Sequence, residues 1–209
     1  MEIHKFIHLG VDYEEINVGI WHPTDKSDHF KKLVNEGTLA FDSLPSYQDE
    51  QILLVQSNAI VRYIAKKHGL AGSNLIEESL IDQYFEGVQD LVRLLRTAYN
   101  VYYPLQKEVT NTTIEENMEK TASEKLPKFV AFFERALVGK TFLVGEKLSY
   151  VDVALFYALD NFLELFPEFF TQVLDKNPNL RTYHQKIKVR EGIQKHLNNE
   201  KRFPKQQCE

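Results

Sequence analysis

The stretch Ser43–Gly69 constrains the fold of this 209-residue chain more than any other. It reads SLPSYQDEQILLVQSNAIVRYIAKKHG, with Leu44-Pro45 before a short apolar strand and Gln56-Ser57 directly before a helix. Apolar residues at helical spacing predict that helix, and two lysines followed by Gly69 predict its end. Because backbone N–H groups at a helix start have no intrahelical partner, the layout predicts a site for a carboxylate or phosphate.

The Leu44-Pro45 dipeptide adds a second constraint. A residue that precedes proline is pushed toward an extended backbone. If the bond is cis, the main chain of Leu44 can face a ligand and pair with it as an added strand would. Taken alone, the same residues also suit a hairpin and a capped helix in any α/β protein.

The rest of the N-terminal third also predicts mixed structure. A helix is expected over residues 2–9, a strand over 11–18 and a short helix over 28–34. The strand pair 44–48 and 51–55 is predicted to turn at Asp49-Glu50. The polar run at 70–74 (LAGSN) is the expected linker.

After this linker the pattern is wholly helical. A long amphipathic helix is predicted to end near Tyr99, and a further helix over 113–137 should kink or split at Pro127. The Ser149-x-x-Asp152 pattern is a capping box before a helix that is apolar nearly all round, which predicts a buried central helix. We therefore predict an α/β domain over 1–72 and an all-helical domain over 75–209.

Composition narrows the function classes. A net charge of −5 argues against a nucleic-acid partner, and the basic residues of the last third are interpreted as a solvated helix face. The single cysteine, Cys208, cannot form a disulfide within the chain. His4 and His8 are spaced as metal ligands can be, but no third ligand accompanies them, so no metal is expected. With neither a signal-peptide pattern nor an apolar run of membrane-spanning length, we expect a cytoplasmic protein without a membrane partner.

Several of these stretches together resemble one known family. They are Leu44-Pro45, the run Val55–Ala65, Gly87-Val88-Gln89-Asp90 and Leu148–Ala154. The pattern is similar to that of the cytosolic glutathione transferases, with the alpha, mu, pi and sigma branch fitting best. The resemblance implies a thioredoxin-like N-terminal domain, an all-helical C-terminal bundle and a homodimer. It implies conjugation of reduced glutathione, a co-substrate rather than a cofactor, to small hydrophobic electrophiles in detoxification.

The resemblance also implies roles for individual residues. Gln56 and Ser57 would bind the γ-glutamyl carboxylate, Leu44 would pair with the cysteinyl part, and Pro45 would be the cis-proline. Asp90 would reach the γ-glutamyl amine of the partner subunit's site. Three of these residues could instead have purely structural roles: helix capping for Gln56 and Ser57, and a solvated helix position for Asp90.

The remaining implied contacts are less specific. Phe41 stands where some classes carry an aromatic residue that plugs the partner subunit, and an ordinary core position is its alternative. Lys32, or its neighbour Lys31, could supply the charge for the glycine end of glutathione, although the sequence favours a solvated lysine pair. The electrophile pocket would be lined by Tyr99, Tyr102 and Tyr103, with core packing of at least one of them as the alternative.

The chain departs from the family pattern at its start. The family opens with a strand that carries a thiol-activating Tyr, Ser or Cys, whereas Met1 here falls inside the first predicted helix. Tyr13 belongs to the following strand and does not replace it, so the thioredoxin-like domain is expected to be truncated at its first strand and no catalytic residue is assigned. Either the true start lies upstream, or this is a shortened paralogue that binds poorly. A non-catalytic glutathione-binding or crystallin-like protein is the alternative function, and a bare helical scaffold is a third.

Overall fold

The protein, a computed structural model, is described at Glu14 and over residues 28–99 and 124–198. Two strands in this part are β1 (Ser46–Gln48) and β2 (Leu53–Val55). The helices are α1 (Asp28–Asn35), α2 (Ser57–Lys67), α3 (Leu75–Tyr99), α4 (Leu126–Ala136), α5 (Tyr150–Leu165), α6 (Pro167–Asp175), α7 (Pro178–Lys188) and α8 (Glu191–Leu197). The predicted helix over 2–9 and strand over 11–18, with His4, His8 and Tyr13, lie outside the described residues, as does Cys208.

The hairpin is antiparallel, with Ser46 opposite Val55 and Gln48 opposite Leu53. Its strands are shorter than the predicted 44–48 and 51–55. β1 ends at Gln48 as predicted but begins only after Pro45, which has no N–H to donate to the ladder. β2 begins late because the Asp49 carboxylate accepts hydrogen bonds from the N–H groups of Gln51 (2.9 Å) and Ile52 (3.0 Å), so the turn occupies 49–52 rather than Asp49-Glu50 alone.

Helix α2 follows the hairpin and begins where the sequence predicts. Its apolar stripe is buried, and it ends at Lys67 before Gly69, whose φ of 69° is the left-handed conformation that glycine adopts at helix ends. Val55 of β2 joins Phe30 and Leu39 in a small apolar cluster under the hairpin. Among the described residues, the hairpin and α1 thus pack on an apolar cluster separate from the main core.

The main core lies around α5, which packs against α2, α3, α6 and α7. Residues 150–160 are all buried, which confirms the prediction of a central helix. Helix α4 begins at Leu126, with Pro127 in its first turn, where a missing N–H leaves no bond unmade. Whether the predicted helix over 113–137 is split at this proline concerns residues 113–123, which lie outside the described ranges. Across the described helices, none combines the length and apolarity that a membrane crossing needs.

The start of α5 is held by the buried carboxylate of Asp152. It accepts hydrogen bonds from the Ser149 N–H and hydroxyl (2.8 Å each), the Leu143 N–H (2.9 Å) and the Tyr183 hydroxyl (2.9 Å). Burial raises the pKa of Asp152, and the hydrogen bonds that it accepts oppose this rise. Burial, together with the Asp152 charge, also raises the pKa of the Tyr183 phenol well above its ordinary value. One carboxylate therefore joins the loop before α5, the first turn of α5 and α7.

We expect Asp152→Ala to lower the free energy of unfolding by about 3 kcal/mol or more, because it leaves several buried donors without an acceptor. Tyr183→Phe removes one donor from the same carboxylate and should lower it by about 1 kcal/mol. Urea unfolding measures both. The control is Asp175→Ala, which breaks an exposed pair with Arg181 and should change stability by less than about 0.5 kcal/mol. Equal stability of the Asp152 and Asp175 variants would contradict this account.

Candidate functional site

The N-terminus of α2 has no side-chain cap. Gln56 precedes the helix with φ of 71° and ψ of 105°, and the first intrahelical bond runs from the Ile60 N–H to the Gln56 carbonyl (3.0 Å). The N–H groups of the first turn, Ser57–Ala59, therefore have no partner within the helix. The alternative in which Ser57 or Gln56 simply caps the helix is not realised, and the partial positive charge of the helix end stays available to an anion.

The strand register brings Leu44-Pro45 to this helix end. Ser46 pairs with Val55, so Leu44-Pro45 and Gln56-Ser57 both adjoin the same end of the two-stranded ladder. The Leu44-Pro45 bond is cis, as predicted. Leu44 lies before the paired residues of β1, so its backbone N–H and carbonyl take no part in the ladder, while its side chain packs on the cluster of Phe30, Leu39 and Val55. An unpaired backbone segment with a cis-proline and a set of helix N–H donors thus lie at the same end of the hairpin.

The opposite end of α2 is tied to the hairpin turn. The Asp49 carboxylate accepts hydrogen bonds from Lys67 Nζ (2.7 Å), the Tyr63 hydroxyl (2.8 Å) and the Tyr47 hydroxyl (3.2 Å). The Lys67 bond, followed by the bonds from the turn N–H groups and Tyr63, holds the pKa of Asp49 below its ordinary range, and the same ion pair raises the pKa of Lys67. Asp49 therefore fixes the turn of the hairpin against the last turn of α2.

Helix α2 is also bound to α3, which the sequence reasoning missed. Arg62 donates to Asp82 (2.6 Å between Nε and Oδ1) and to Glu86, and Lys66 pairs with Glu78 (3.2 Å). The Tyr150 hydroxyl donates to the same Asp82 oxygen (3.0 Å). The spacing of acidic residues by four along α3 was a usable signal for this ladder, but it does not say which helix supplies the cations.

The other predicted site residues are more scattered. Asp90 lies on α3 with 45% of its side chain exposed and is paired with Arg93. Lys32 is 70% exposed and its ammonium lies 3.8 Å from Glu36, as a solvated lysine would. Phe41 is 81% exposed, so its alternative as an ordinary core residue is not realised.

The predicted electrophile pocket cannot be placed. Tyr102 and Tyr103 lie outside the described residues, and Tyr99 is described only as the last residue of the α3 backbone. Within residues 28–99 and 124–198, no cluster of three or more potential ligands could hold a metal ion.

A cis-proline before a hairpin, an uncapped helix start and an adjoining helical bundle define a thioredoxin-like N-terminal region followed by a helical C-terminal domain. The family model for the glutathione S-transferase N-terminal domain matches residues 4–66, and that for the C-terminal domain matches residues 97–200. The chain belongs to the glutathione S-transferase family.

Individual relatives agree with this assignment. The chain is 35% identical to Glutathione S-transferase 2 of Onchocerca volvulus over 161 residues, which is 75% of this chain and 70% of that protein. It is 32% identical to a glutathione S-transferase of Gallus gallus over 190 residues, 90% of this chain and 78% of that protein. Among solved structures, the pi-class enzyme of Onchocerca volvulus superposes with a TM-score of 0.72 at 29% identity, covering 93% of this chain and 84% of that one.

The depressed pKa of Asp49 predicts an acid-sensitive contact. Its stabilisation is complete above the ordinary aspartate pKa of 3.8 and is lost as the pH falls below that value toward the lower pKa of the folded state. Between neutral pH and about pH 3, the wild type should therefore lose more stability than Asp49→Asn, and above about pH 5 the difference between them should be constant. Thermal unfolding across this range measures it.

The matched control is Glu50→Gln, which removes a neighbouring exposed carboxylate. The stability of this variant should fall with decreasing pH in parallel with that of the wild type. If the stability of Asp49→Asn also falls in parallel with that of the wild type down to about pH 3, the ion pair between Asp49 and Lys67 does not stabilise the fold.

Proposed function

We propose that the protein is a cytoplasmic glutathione transferase that adds the glutathione thiolate to small hydrophobic electrophiles. The observation that carries the proposal is the uncapped start of α2 at the end of the hairpin that also holds the cis Leu44-Pro45 bond. A tripeptide with one carboxylate at the helix N–H groups and a peptide unit along Leu44 would satisfy both. Family membership supports the same reading, since the curated relatives are named glutathione S-transferases.

In this proposal each site residue has a stated part. Gln56 and Ser57 bind the γ-glutamyl carboxylate, Leu44 and Pro45 form the wall along the cysteinyl unit, and Lys32 is a weaker contact for the glycine carboxylate. The electrophile would lie against Tyr99, Tyr102 and Tyr103. In the predicted division into domains 1–72 and 75–209, the first group belongs to the N-terminal domain and the tyrosines to the C-terminal one.

Thiol activation decides between an enzyme and a binding protein. A free thiol with a pKa near 8.5 is only a few per cent ionised at neutral pH, so conjugation needs a donor that stabilises the thiolate. We assign no residue to that role. The alternative is therefore a non-catalytic glutathione-binding or crystallin-like protein. The test combines retention on immobilised glutathione with a conjugation assay on chlorodinitrobenzene. Retention with turnover supports the transferase, and retention without turnover supports the binding protein. No retention supports a helical scaffold without glutathione binding.

Replacement of Ser57 tests the binding site itself. Ser57→Ala should raise the dissociation constant for glutathione about tenfold, because it removes a hydrogen-bonding group at the helix end where the carboxylate is held. Isothermal titration calorimetry on the folded variant measures it. The control is Ser79→Ala on α3, which removes a hydroxyl that bonds the Leu75 carbonyl on an exposed helix face and should leave affinity unchanged. Unaltered affinity in Ser57→Ala would sink the proposal.

We also propose that the protein forms a homodimer in which Phe41 inserts into the partner subunit and Asp90 completes the partner's glutathione site. Phe41 has φ of 63° and ψ of 15°, a conformation that costs a bulky residue about 1–3 kcal/mol, and it holds its ring out of the chain's own core. An exposed aromatic side chain in such a backbone suits a contact with another molecule.

Phe41→Ser should shift the protein from dimer to monomer, since the loss of one buried aromatic per subunit removes about 2 kcal/mol of hydrophobic stabilisation at each of two symmetric contacts. Size-exclusion chromatography with light scattering over a dilution series measures the shift. Val189→Ser, at an exposed apolar residue between α7 and α8, is the control and should leave the mass unchanged. An unchanged dimer in the Phe41 variant would refute the insertion.

A further inference from the structure

Gln89 is a buried amide whose donor is unused. The residue lies on α3 with 6% of its surface exposed, and its Nε2 has no hydrogen-bond acceptor within the part of the chain that the structure describes. Nearly all buried polar groups in proteins are hydrogen-bonded, and an unsatisfied one costs about 1–3 kcal/mol. A cost of this size at one position suggests that something outside the described chain supplies the acceptor.

The ladder between α2 and α3 indicates where this amide lies. Lys66 pairs with Glu78, and Arg62, one turn earlier on α2, pairs with Asp82 and Glu86 further along α3. The two helices therefore run in opposite directions past one another. Moving about one more turn along each helix leads from Arg62 back to Ser57 on α2, and from Asp82 and Glu86 forward to Gln89 on α3. The pairing pattern therefore puts Gln89 near the start of α2.

The positions of these residues around the axis of α3 also indicate that Gln89 lies near the start of α2. Gln89 comes one turn after Glu86 and two turns after Asp82, so the three residues form one stripe, and its first two members bind a side chain of α2. The arginine that they bind also lies over the ring of Phe85, 5.2 Å from its centroid. The stripe thus faces α2, and Gln89 continues it toward the uncapped helix start.

Neighbouring Asp90 points elsewhere. Successive residues of an α-helix are rotated by about 100° from one another, so Gln89 and Asp90 cannot share a face. The exposures agree, because Asp90 is nearly half exposed and pairs with exposed Arg93 whereas Gln89 is buried. One turn of α3 can therefore serve the site of its own chain through Gln89 and present Asp90 outward.

We propose that Gln89 is a ligand contact of its own chain's site: its Nε2–H donates to the carboxylate held by the N–H groups that begin α2. The proposal rests on the glutathione-binding function proposed above and adds to it a donor from the helical domain. A carboxylate bound only by Ser57 and the first-turn N–H groups would contact the N-terminal domain alone. With Gln89 it contacts both domains, so binding of the γ-glutamyl unit stabilises their contact.

The test is Gln89→Met, a replacement of similar volume that removes the amide. Because it removes an unsatisfied buried group, the ligand-free variant should be at least as stable as the wild type in urea unfolding. Its dissociation constant for glutathione should nevertheless rise about tenfold in calorimetry. Gln83→Met, at an exposed position of the same helix, is the matched control and should change neither quantity.

A second ligand locates the contact. Cysteinylglycine lacks the γ-glutamyl unit, so its affinity, measured by competition, should be the same for the wild type and for Gln89→Met. An equal loss for both ligands would overturn the assignment to the γ-glutamyl carboxylate.

The remaining outcomes separate this inference from the proposed function. If the wild type binds glutathione and Gln89→Met binds it equally well, the inference is wrong and the function stands. A less stable ligand-free variant would mean that the amide has a structural partner, which also overturns the inference. If the wild type does not bind glutathione, the function and the inference fail together.

Discussion

A single buried carboxylate, that of Asp152, determines how the helical part of the protein is joined. A buried charge is tolerated only when its hydrogen bonds are made, and Asp152 makes them to the Leu143 N–H, to Ser149 and to Tyr183. These donors come from a loop, from the start of α5 and from α7. Helices α2, α3, α6 and α7 then pack against an element whose first turn is already fixed.

Further hydrogen bonds connect the start of α5 to the candidate site. The Tyr150 N–H donates to the Leu70 carbonyl (3.0 Å), and its hydroxyl donates to Asp82, which in turn binds Arg62 on α2. Asp49 and Lys67 hold the last turn of α2 against the hairpin. The middle and the end of α2 are therefore fixed, while the N–H groups of its first turn have no side-chain cap. A preorganised helix with one unsatisfied end is what binding of a small anion requires.

Much of this could be predicted from the sequence because the signals are local. The spacing of apolar residues located α2, α3 and α5, and Ser149-x-x-Asp152 located the cap, since helix periodicity and capping depend on residues within one or two turns. The predicted start of β2 was wrong because the bonds from the N–H groups of the turn to Asp49 outweigh the β-propensity of residues 51 and 52. The predicted start of β1 was wrong because Pro45 has no N–H to pair with.

The sequence by itself determined the family, the order of elements and the position of a helix start suited to an anion, all of which are set by neighbours along the chain. Only the tertiary structure decided that Phe41 is exposed, that Arg62 bridges α2 to α3, and that Gln89 is buried while Asp90 is not. These properties depend on how elements far apart in sequence are placed beside one another. The same side chain on the same helix can be solvated, paired or buried, and the neighbouring element, which no local pattern specifies, makes that choice.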